Sequence, residues 1–455
     1  MVRRRFLVGA LLGVLFAIGW WAGRGRASND LYTHLDQFVE VLRAVQSSYV
    51  DEVDARDMMR GGLKGMLRGL DPASRYLDPS ELAAHRTTSS GEVEGIGAWV
   101  DIREGYPVVI APLHGSPAAR AGLRSGDFIT HIDSVSTFGL GLEEARAKMI
   151  GSAGTQVRLR VARKGEGEPR EVMIQRERLL VPAVPYAFLA APGVGYVRVA
   201  TFHERSAAEF AAAVDSLRRL GARAAILDLR GNPGGVVDQA VAIAGTFLPS
   251  GTRVVSVVGR DPAVSAVQNS SAAKPETGWP LVVLIDSGSA SASEIVAGAL
   301  QDLDRAVIVG ESSFGKGSVQ NLFPLRGRAG AVQMTTAYYH TPSGRTLHRI
   351  TRDPLAAGSD EEDEEDDAAP DSALSFQTSG GRSVRGGGGV TPDVVVSADS
   401  SRSLTPLPLD AASAPSALAL DPVVQRALAI LRKSSDARAV FASAGVPVPS
   451  RTGTR

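Results

Sequence analysis

The sequence predicts a mixed α/β protein of several domains, and three observations carry that expectation. Over residues 185–400, short apolar runs alternate with helix-like stretches, the pattern of a largely parallel sheet flanked by helices. Over 83–180, short β-rich runs follow one another between Gly, Pro and Asp turns, the pattern of a small β domain able to fold alone. The chain has 455 residues and an apolar fraction of 44%, which calls for about two to four units, each with a real core.

Taken in order, the chain opens with Arg3, Arg4 and Arg5 ahead of an apolar stretch from Phe6 to Gly23. A positive flank before an apolar run is an export signal with the arginines kept inside. The run is close to the length that spans a bilayer. Residues 1–27 therefore read as a membrane anchor or, with a weak cleavage site at Gly25-Arg26-Ala27, as a signal peptide. Residues 28–82 read as a helical region. Leu35, Phe38, Val39, Val41, Leu42 and Val45 recur at helical spacing, and a second stretch, Met58 to Leu70, stops at Asp71-Pro72.

In the β-rich region the expected strands are Tyr106–Ile110, Phe128–Ile132, Val157–Val161 and Glu171–Gln175, with a helix from Leu142 to Ile150. In the α/β region, 181–400, the expected strands are Val194–Val199, Ala224–Leu229, Arg253–Val258, Leu281–Ile285 and Ala306–Val309. The helices expected there are Ala207–Leu220, Val237–Phe247 and Ser291–Leu303. Residues 360–367 are eight consecutive acids; such a run repels itself and stays solvated. With the glycines of 380–389, it makes 353–388 read as a flexible acidic insertion. Residues 401–455 read as a linker followed by one helix, Pro422 to Lys433, with a frayed end.

Composition removes several function classes. A formal net charge of zero gives no reason to expect a nucleic-acid partner. Without cysteine there is no disulfide, no Cys nucleophile and no thiolate metal site. The seven histidines show no zinc spacing. The acidic run lacks the glycine punctuation of a calcium loop. No cofactor or metal is expected.

Three segments carry chemistry. Ser289-Ala290-Ser291-Ala292-Ser293-Glu294 follows an expected strand and opens an expected helix. Such a turn exposes a side chain at the sheet edge beside free backbone N–H groups, which suits a nucleophile and its oxyanion; helix capping explains the same serines. Phe314-Gly315-Lys316-Gly317-Ser318-Val319-Gln320 sets a lysine between glycines that let the backbone approach another element. Partial desolvation there lowers a lysine's pKa toward that of a general base, and Gln320 is placed to orient the amine. Gly310, Gly315 and Lys316 imitate a phosphate loop, but Gly317 stands where that motif needs Ser or Thr. Asp228-Leu229-Arg230-Gly231-Asn232-Pro233-Gly234-Gly235 ends a strand, and Gly234 or Gly235 has a backbone N–H to offer an oxyanion; it is also ordinary turn chemistry.

Together these segments resemble the carboxy-terminal processing proteases, the tail-specific family with a Ser/Lys dyad. The resemblance rests on the run Ser289 to Asp302 and on Phe314 to Gln320, and it extends from about Phe38 to Val396. It implies Ser291 as nucleophile, Lys316 as base, Gln320 as the lysine's orienting partner, and Ala292 with Gly234 or Gly235 as oxyanion donors. It also implies that 83–180 is a PDZ domain inserted ahead of the protease core. Gly95-Ile96-Gly97-Ala98 resembles that domain's carboxylate-binding loop, and Gly115-Ser116-Pro117-Ala118 with Ala121 to Asp127 its later signature.

The implied partners are proteins or peptides with free C-termini, a second copy of the chain in a homodimer, an adaptor protein, and the membrane through the N-terminal segment. The implied location is the cell envelope, anchored in the inner membrane facing the periplasm or secreted to the periplasmic or extracytoplasmic space. Two rivals remain: a Ser/His/Asp hydrolase with His203 as base, and a non-catalytic PDZ scaffold.

Overall fold

The computed structural model describes residues 32–349, 375–396 and 414–450, apart from 72, 80, 83–84, 86–89, 114, 125, 164, 166, 261–264 and 329. The arginine-flanked apolar run at 6–23 and the acidic run at 360–367 lie outside the described residues. Among the described residues no helix is long and apolar enough to cross a membrane. The chain divides into two compact units between Tyr76 and Leu77.

In the first unit, residues 32–48 form a helix, and a second runs over Ala55–Arg68. Asp54 starts that second helix by accepting the Arg56 N–H at 2.7 Å. The Phe38 ring lies against Gly62, where a Cβ would come within 3.0 Å of it. Leu35, Phe38, Val39, Val41, Met59 and Met66 nonetheless remain exposed.

The second unit begins with the small β domain. Its strands Ala98–Arg103, Tyr106–Pro112, Phe128–Ile132, Gln156–Ala162 and Arg170–Gln175 lie in that order. All neighbours are antiparallel. Val157, Leu159 and Val161 alternate inward along one strand and meet Val109, Ile129, Ile174 and Met149 in the core. Met149 ends the expected helix, here Leu142–Met149. Outside this sheet, Glu92–Gly95 pairs with Glu177–Leu180 and ties entry to exit. Asp127 shows why the Gly-Asp signature is polar yet buried. Burial pushes its carboxyl up, but Arg163 at 2.6 Å and the Arg124 N–H more than offset this and hold it below the ordinary aspartate range.

The rest of the unit is an α/β/α sandwich. Its sheet runs Ala187–Ala191, Val194–Arg198, Ala224–Asp228, Leu281–Ile285, Val307–Gly310, Val394–Val395. The first pair is antiparallel and the others are parallel. Successive side chains point to opposite faces, so these continuous apolar strands feed two cores. Leu227, Val283, Ile285 and Ile308 pack under the helices Ser206–Arg219, Val237–Gly245 and Ala292–Asp302. Ile226, Val282, Leu284 and Val309 pack under Pro422–Leu431 and Ala439–Ala444.

Three expectations are corrected. Arg253–Val258, expected among the largely parallel strands of the α/β region, instead belongs as Arg253–Gly259 to a second, antiparallel sheet with Ala266–Asn269, Ala331–His340 and Ser318–Pro324. Residues 375–388, within the expected flexible insertion, instead contain a hairpin, Ser375–Gln377 with Ser383–Arg385. It is fixed from outside itself, because Arg382 pairs with Asp304 and Asp393, each at 2.6 Å. The C-terminal region is also more than a linker, one helix and a frayed end. Ala414–Leu418 and Ala439–Ala444 are additional helices, and Ala414, Val440 and Phe441 are fully buried in the second core.

This C-terminal cover is bolted to the sheet by charge. Asp421 caps its helix through Val423 and Val424 N–H and accepts Arg230 Nη1 at 2.7 Å. Arg230 also binds Asp228, which accepts the Tyr196 hydroxyl at 2.5 Å. Burial alone would raise the Asp228 carboxyl; Arg230, Arg198 and that hydroxyl hold it below the aspartate range. Asp421→Ala removes a cap and one partner of a buried guanidinium. It is expected to cost about 2–4 kcal/mol, read as a lower urea midpoint at unchanged slope.

Candidate active site

The parallel sheet explains why three distant segments meet. Neighbouring parallel strands end on the same edge, and in open α/β sheets that carboxyl edge is where sites form. Ala224–Asp228, Leu281–Ile285 and Val307–Gly310 are consecutive neighbours. The turn of Asn232 to Gly235 follows the first, the turn of Asp286 to Ser291 the second, and the loop of Glu311 to Lys316 the third.

Asn232 fastens the first two turns together. Its carbonyl accepts the Ala290 N–H at 3.0 Å and the Ser293 hydroxyl at 2.9 Å, and its amide nitrogen donates to Val199 O. Ser289 adds a bond to Leu229 O at 2.9 Å. Asp286 Oδ1 accepts the N–H groups of Gly231 and Gly288.

Ser291 sits at the start of the Ala292–Asp302 helix with φ +55° and ψ −112°. That is a left-handed angle for a non-glycine residue, a strain of about 1–3 kcal/mol that persists only where surroundings impose it. Its N–H is held by Glu294 Oε2 at 2.7 Å, and its carbonyl accepts from Glu294 and Ile295 N–H. The Ser293 N–H goes to Ala290 O, so three of the first four helical donors are satisfied. The fourth, the Ala292 N–H, has no hydrogen-bond partner among the described residues.

Gly234 lies against this N–H. A Cβ on Gly234 would stand 2.8 Å from Ser291 Cβ and 2.9 Å from Ala292 N. Its own N–H is given to Asn232 Oδ1 at 2.9 Å. The Gly235 N–H has no partner among the described residues. Gly235 itself is at φ +141°, where a Cβ would fall 1.9 Å from Phe202 O, so only glycine fits.

Lys316 is half-buried, and its segment is held on both sides. The Gly315 carbonyl accepts from Arg349 N–H at 2.9 Å and the Gly317 carbonyl from Tyr339 N–H at 2.7 Å. The Lys316 N–H donates to Glu294 Oε2 at 2.8 Å, the oxygen that also binds Ser291 N–H. Ser291 and Lys316 are therefore neighbours through one carboxylate. Gln320 follows at a β-bulge between Val319 and Gln320, a device that re-aims a side chain. Its amide nitrogen donates to Ser318 Oγ at 2.8 Å and Thr335 Oγ1 at 3.4 Å, which leaves Oε1 as its acceptor.

The sequence assigns no role of their own to Glu294 and Asn232, and treats Ser313 only as a substitution for a more usual Thr. The signal for Glu294 was present: Ser-x-x-Glu at a helix start is the pattern of reciprocal capping. His203 is buried, with Nε2 at 3.0 Å from Val181 O and its ring against Gly91. It is built into the packing rather than aimed at the turn of Ser291.

The carboxylate-loop candidates lie in the small β domain. Ile96 O accepts Ala118 N–H, and Gly97 O accepts Leu113 N–H and the Ser116 hydroxyl, each at 2.8 Å. A trans peptide points its N–H opposite its carbonyl, so the N–H groups of Gly97 and Ala98 face away from Leu113, Ser116 and Ala118. The next strand, Ala98–Arg103, is at the sheet edge, where an extended tail adds by backbone pairing. Gly95 is paired in a strand and Ile96 is buried in the core.

Sequence comparison agrees with this architecture. The profile of peptidase family S41 matches residues 193–354, and that of the PDZ domain matches 108–163. A carboxy-terminal-processing protease of Bartonella bacilliformis is 38% identical over 325 residues, covering 70% of this chain and 74% of that protein. A carboxyl-terminal-processing protease of Synechocystis sp. is 40% identical over 294 residues, covering 63% and 68%. A solved S41 protease structure from Bacteroides fragilis shares the fold with a TM-score of 0.50 at 14% identity, covering 75% of this chain and 83% of that one. Fold and matches define a serine-type peptidase that carries a PDZ domain. The chain belongs to peptidase family S41, among the carboxy-terminal processing proteases.

Proposed function

We propose that the chain is an exported serine endopeptidase that selects unstructured C-terminal tails and cuts them with a Ser291–Lys316 dyad. The observation that carries the reading is the meeting of three turns at one sheet edge: a strained Ser291, an unpaired Ala292 N–H beside Gly234, and Lys316 bound to the same carboxylate as Ser291. The tail's carboxylate docks on the outward-facing N–H groups of Gly97 and Ala98, and its strand adds beside Ala98–Arg103. Neutral Lys316 takes the Ser291 hydroxyl proton as the oxygen attacks the scissile carbonyl. The Ala292 N–H and that of Gly234 or Gly235 bind the oxyanion; Gly234 serves only by releasing Asn232 Oδ1. Lys316 then gives its proton to the leaving amine; the neutral Lys316 amine next takes a proton from water as the water attacks the ester carbonyl, and returns it to Ser291 Oγ as the acyl–oxygen bond breaks. Gln320 Oε1 orients the lysine.

The N-terminal run of 6–23 supports anchoring in the inner membrane with the catalytic region in the periplasm. The exposed apolar positions of the first unit fit a homodimer.

Tail recognition is tested with one peptide bearing either a free or an amidated C-terminus. The free form is expected to be cleaved with at least about tenfold higher kcat/KM; equal cleavage would sink tail recognition. Gly97 has φ +74°, and a Cβ there would lie 2.5 Å from both Leu179 Cδ1 and Ser116 Cβ. Gly97→Val is accordingly expected to weaken free-tail binding about tenfold or more, measured by fluorescence anisotropy of a labelled tail peptide.

A further inference from the structure

We propose that Glu294 is the positioning residue that sets Ser291 in register with Lys316, an inference that rests on the dyad reading above. Its Oε2 accepts the N–H of Ser291 at 2.7 Å and of Lys316 at 2.8 Å. Its Oε1 accepts the Ser313 hydroxyl at 2.6 Å and the Gly315 N–H at 2.7 Å. Two donors thus converge on each oxygen, which matches the acceptor capacity of an ionised carboxylate.

Each half of the dyad is carried by a turn after a different strand, and both turns use unusual backbone. Ser291 is at φ +55° and Gly315 at φ +93°. One rigid anion holding both nitrogens converts two independent loops into a single unit. The closing segment completes the enclosure: a Cβ on Gly389 would stand 3.1 Å from Glu294 Oε1, and Val390 N–H donates to Ser313 Oγ at 2.7 Å.

Glu294 is 1% exposed. Burial pushes its carboxyl above the ordinary glutamate range, against the four hydrogen bonds that favour the anion. A buried carboxyl is costly, and simple capping of one helix is done by exposed residues at lower cost. The arrangement is explained by what the carboxylate joins.

The isosteric variant isolates this role. In Glu294→Gln one oxygen becomes an NH2 that faces two donors, either those of Ser291 and Lys316 or those of Ser313 and Gly315. The volume is kept, and the register of the two turns is lost. Full-chain wild type, Ser291→Ala, Glu294→Gln and Glu294→Ala would be compared on a free-tail peptide. For Glu294→Gln, kcat is expected to fall about 10²-fold at unchanged KM, the scale of a misplacement near 1 Å. Glu294→Ala is expected to recover at least about tenfold in sodium formate over sodium chloride of equal ionic strength, because formate supplies the missing acceptors.

A kcat for Glu294→Gln within about threefold of wild type, or no formate-specific recovery, would overturn the proposal. Wild-type cleavage by Ser291→Ala would remove the dyad reading itself; an inactive Ser291→Ala beside a fully active Glu294→Gln would remove only the role given to Glu294. Should Glu294→Gln not fold, Ser313→Ala deletes a single donor. A fall in its kcat of about tenfold at constant KM supports the register role, and a lowered melting temperature with unchanged kcat refutes it.

Discussion

Ser291→Ala is expected to reduce cleavage of an unfolded protein substrate by about 10⁴-fold or more while tail binding stays at its wild-type value. The serine sits in a left-handed conformation that its own capping does not require, and three hydrogen bonds of 2.7–3.0 Å hold it there. The residue stands at the very start of the Ala292–Asp302 helix, where the turn after the strand Leu281–Ile285 reaches the sheet edge. Beside it, the Ala292 N–H is left over when the other early helical donors have found acceptors. In the mechanism proposed above, the oxygen of a reacting carbonyl is the partner that completes this inventory. Removing the hydroxyl leaves the backbone strain, the Ala292 donor and the edge strand Ala98–Arg103 unchanged, so tail binding is expected to survive and chemistry is not. Peptide cleavage followed by mass spectrometry, with tail binding measured on the same preparations, reads both quantities.

Lys316→Ala is expected to cost about 10³–10⁴-fold in kcat, the upper range for a general base that works as a unit with its nucleophile. Lys316→Arg discriminates between a base and a mere positive charge. An arginine keeps the charge but does not release its proton in a protein, so the base role predicts an arginine variant as slow as the alanine one. The flanking glycines make this a demanding position. Gly317 packs where a Cβ would lie 2.4 Å from His348 N, and both neighbouring carbonyls are paired with other segments. The lysine backbone is therefore fixed, and exchanging its side chain leaves the loop in place. Substantial activity in Lys316→Arg would mean that the lysine acts as a cation on substrate rather than as a base.

Much of the candidate site is legible in the chain because its parts are local. Ser289 to Glu294, Gly315 to Gln320 and Asn232 to Gly235 are each contiguous, and each follows a strand whose apolar run is unmistakable. What joins them is not local. Glu294 gathers donors from residues 291, 313, 315 and 316. Its place in the sequence announces only a helix start. The same distinction holds in the fold. Leu281–Ile285 and Arg253–Gly259 are both short and apolar, and no property of either run says which sheet it joins. The 375–385 hairpin has one buried apolar side chain, Val384, and stands among glycines. Its order comes from Arg382 reaching Asp304 and Asp393. Ala439–Ala444 is too short for a helical period to register, and it is stabilised by burying Val440, Phe441 and Ala444 against the sheet.

The C-terminal cover also has a consequence for the site. Residues 414–450 lie beyond the part of the chain that matches the S41 profile. Yet Asp421 holds Arg230, and Arg230 is followed directly by the turn that ends in Gly234 and Gly235. Loosening the cover through Asp421→Ala is a stability effect first, and it acts at the base of the turn assigned to the oxyanion.

In the mechanism proposed above, Ser291 carries the acyl half of the substrate as an ester. Acid-quenching wild-type enzyme during turnover of a free-tail peptide, followed by digestion and peptide mapping, tests it most directly. The account predicts an acyl adduct, the N-terminal part of the substrate, on the peptide containing Ser291, and its absence from Ser291→Ala. An adduct on any other residue, or one that persists in Ser291→Ala, would contradict it.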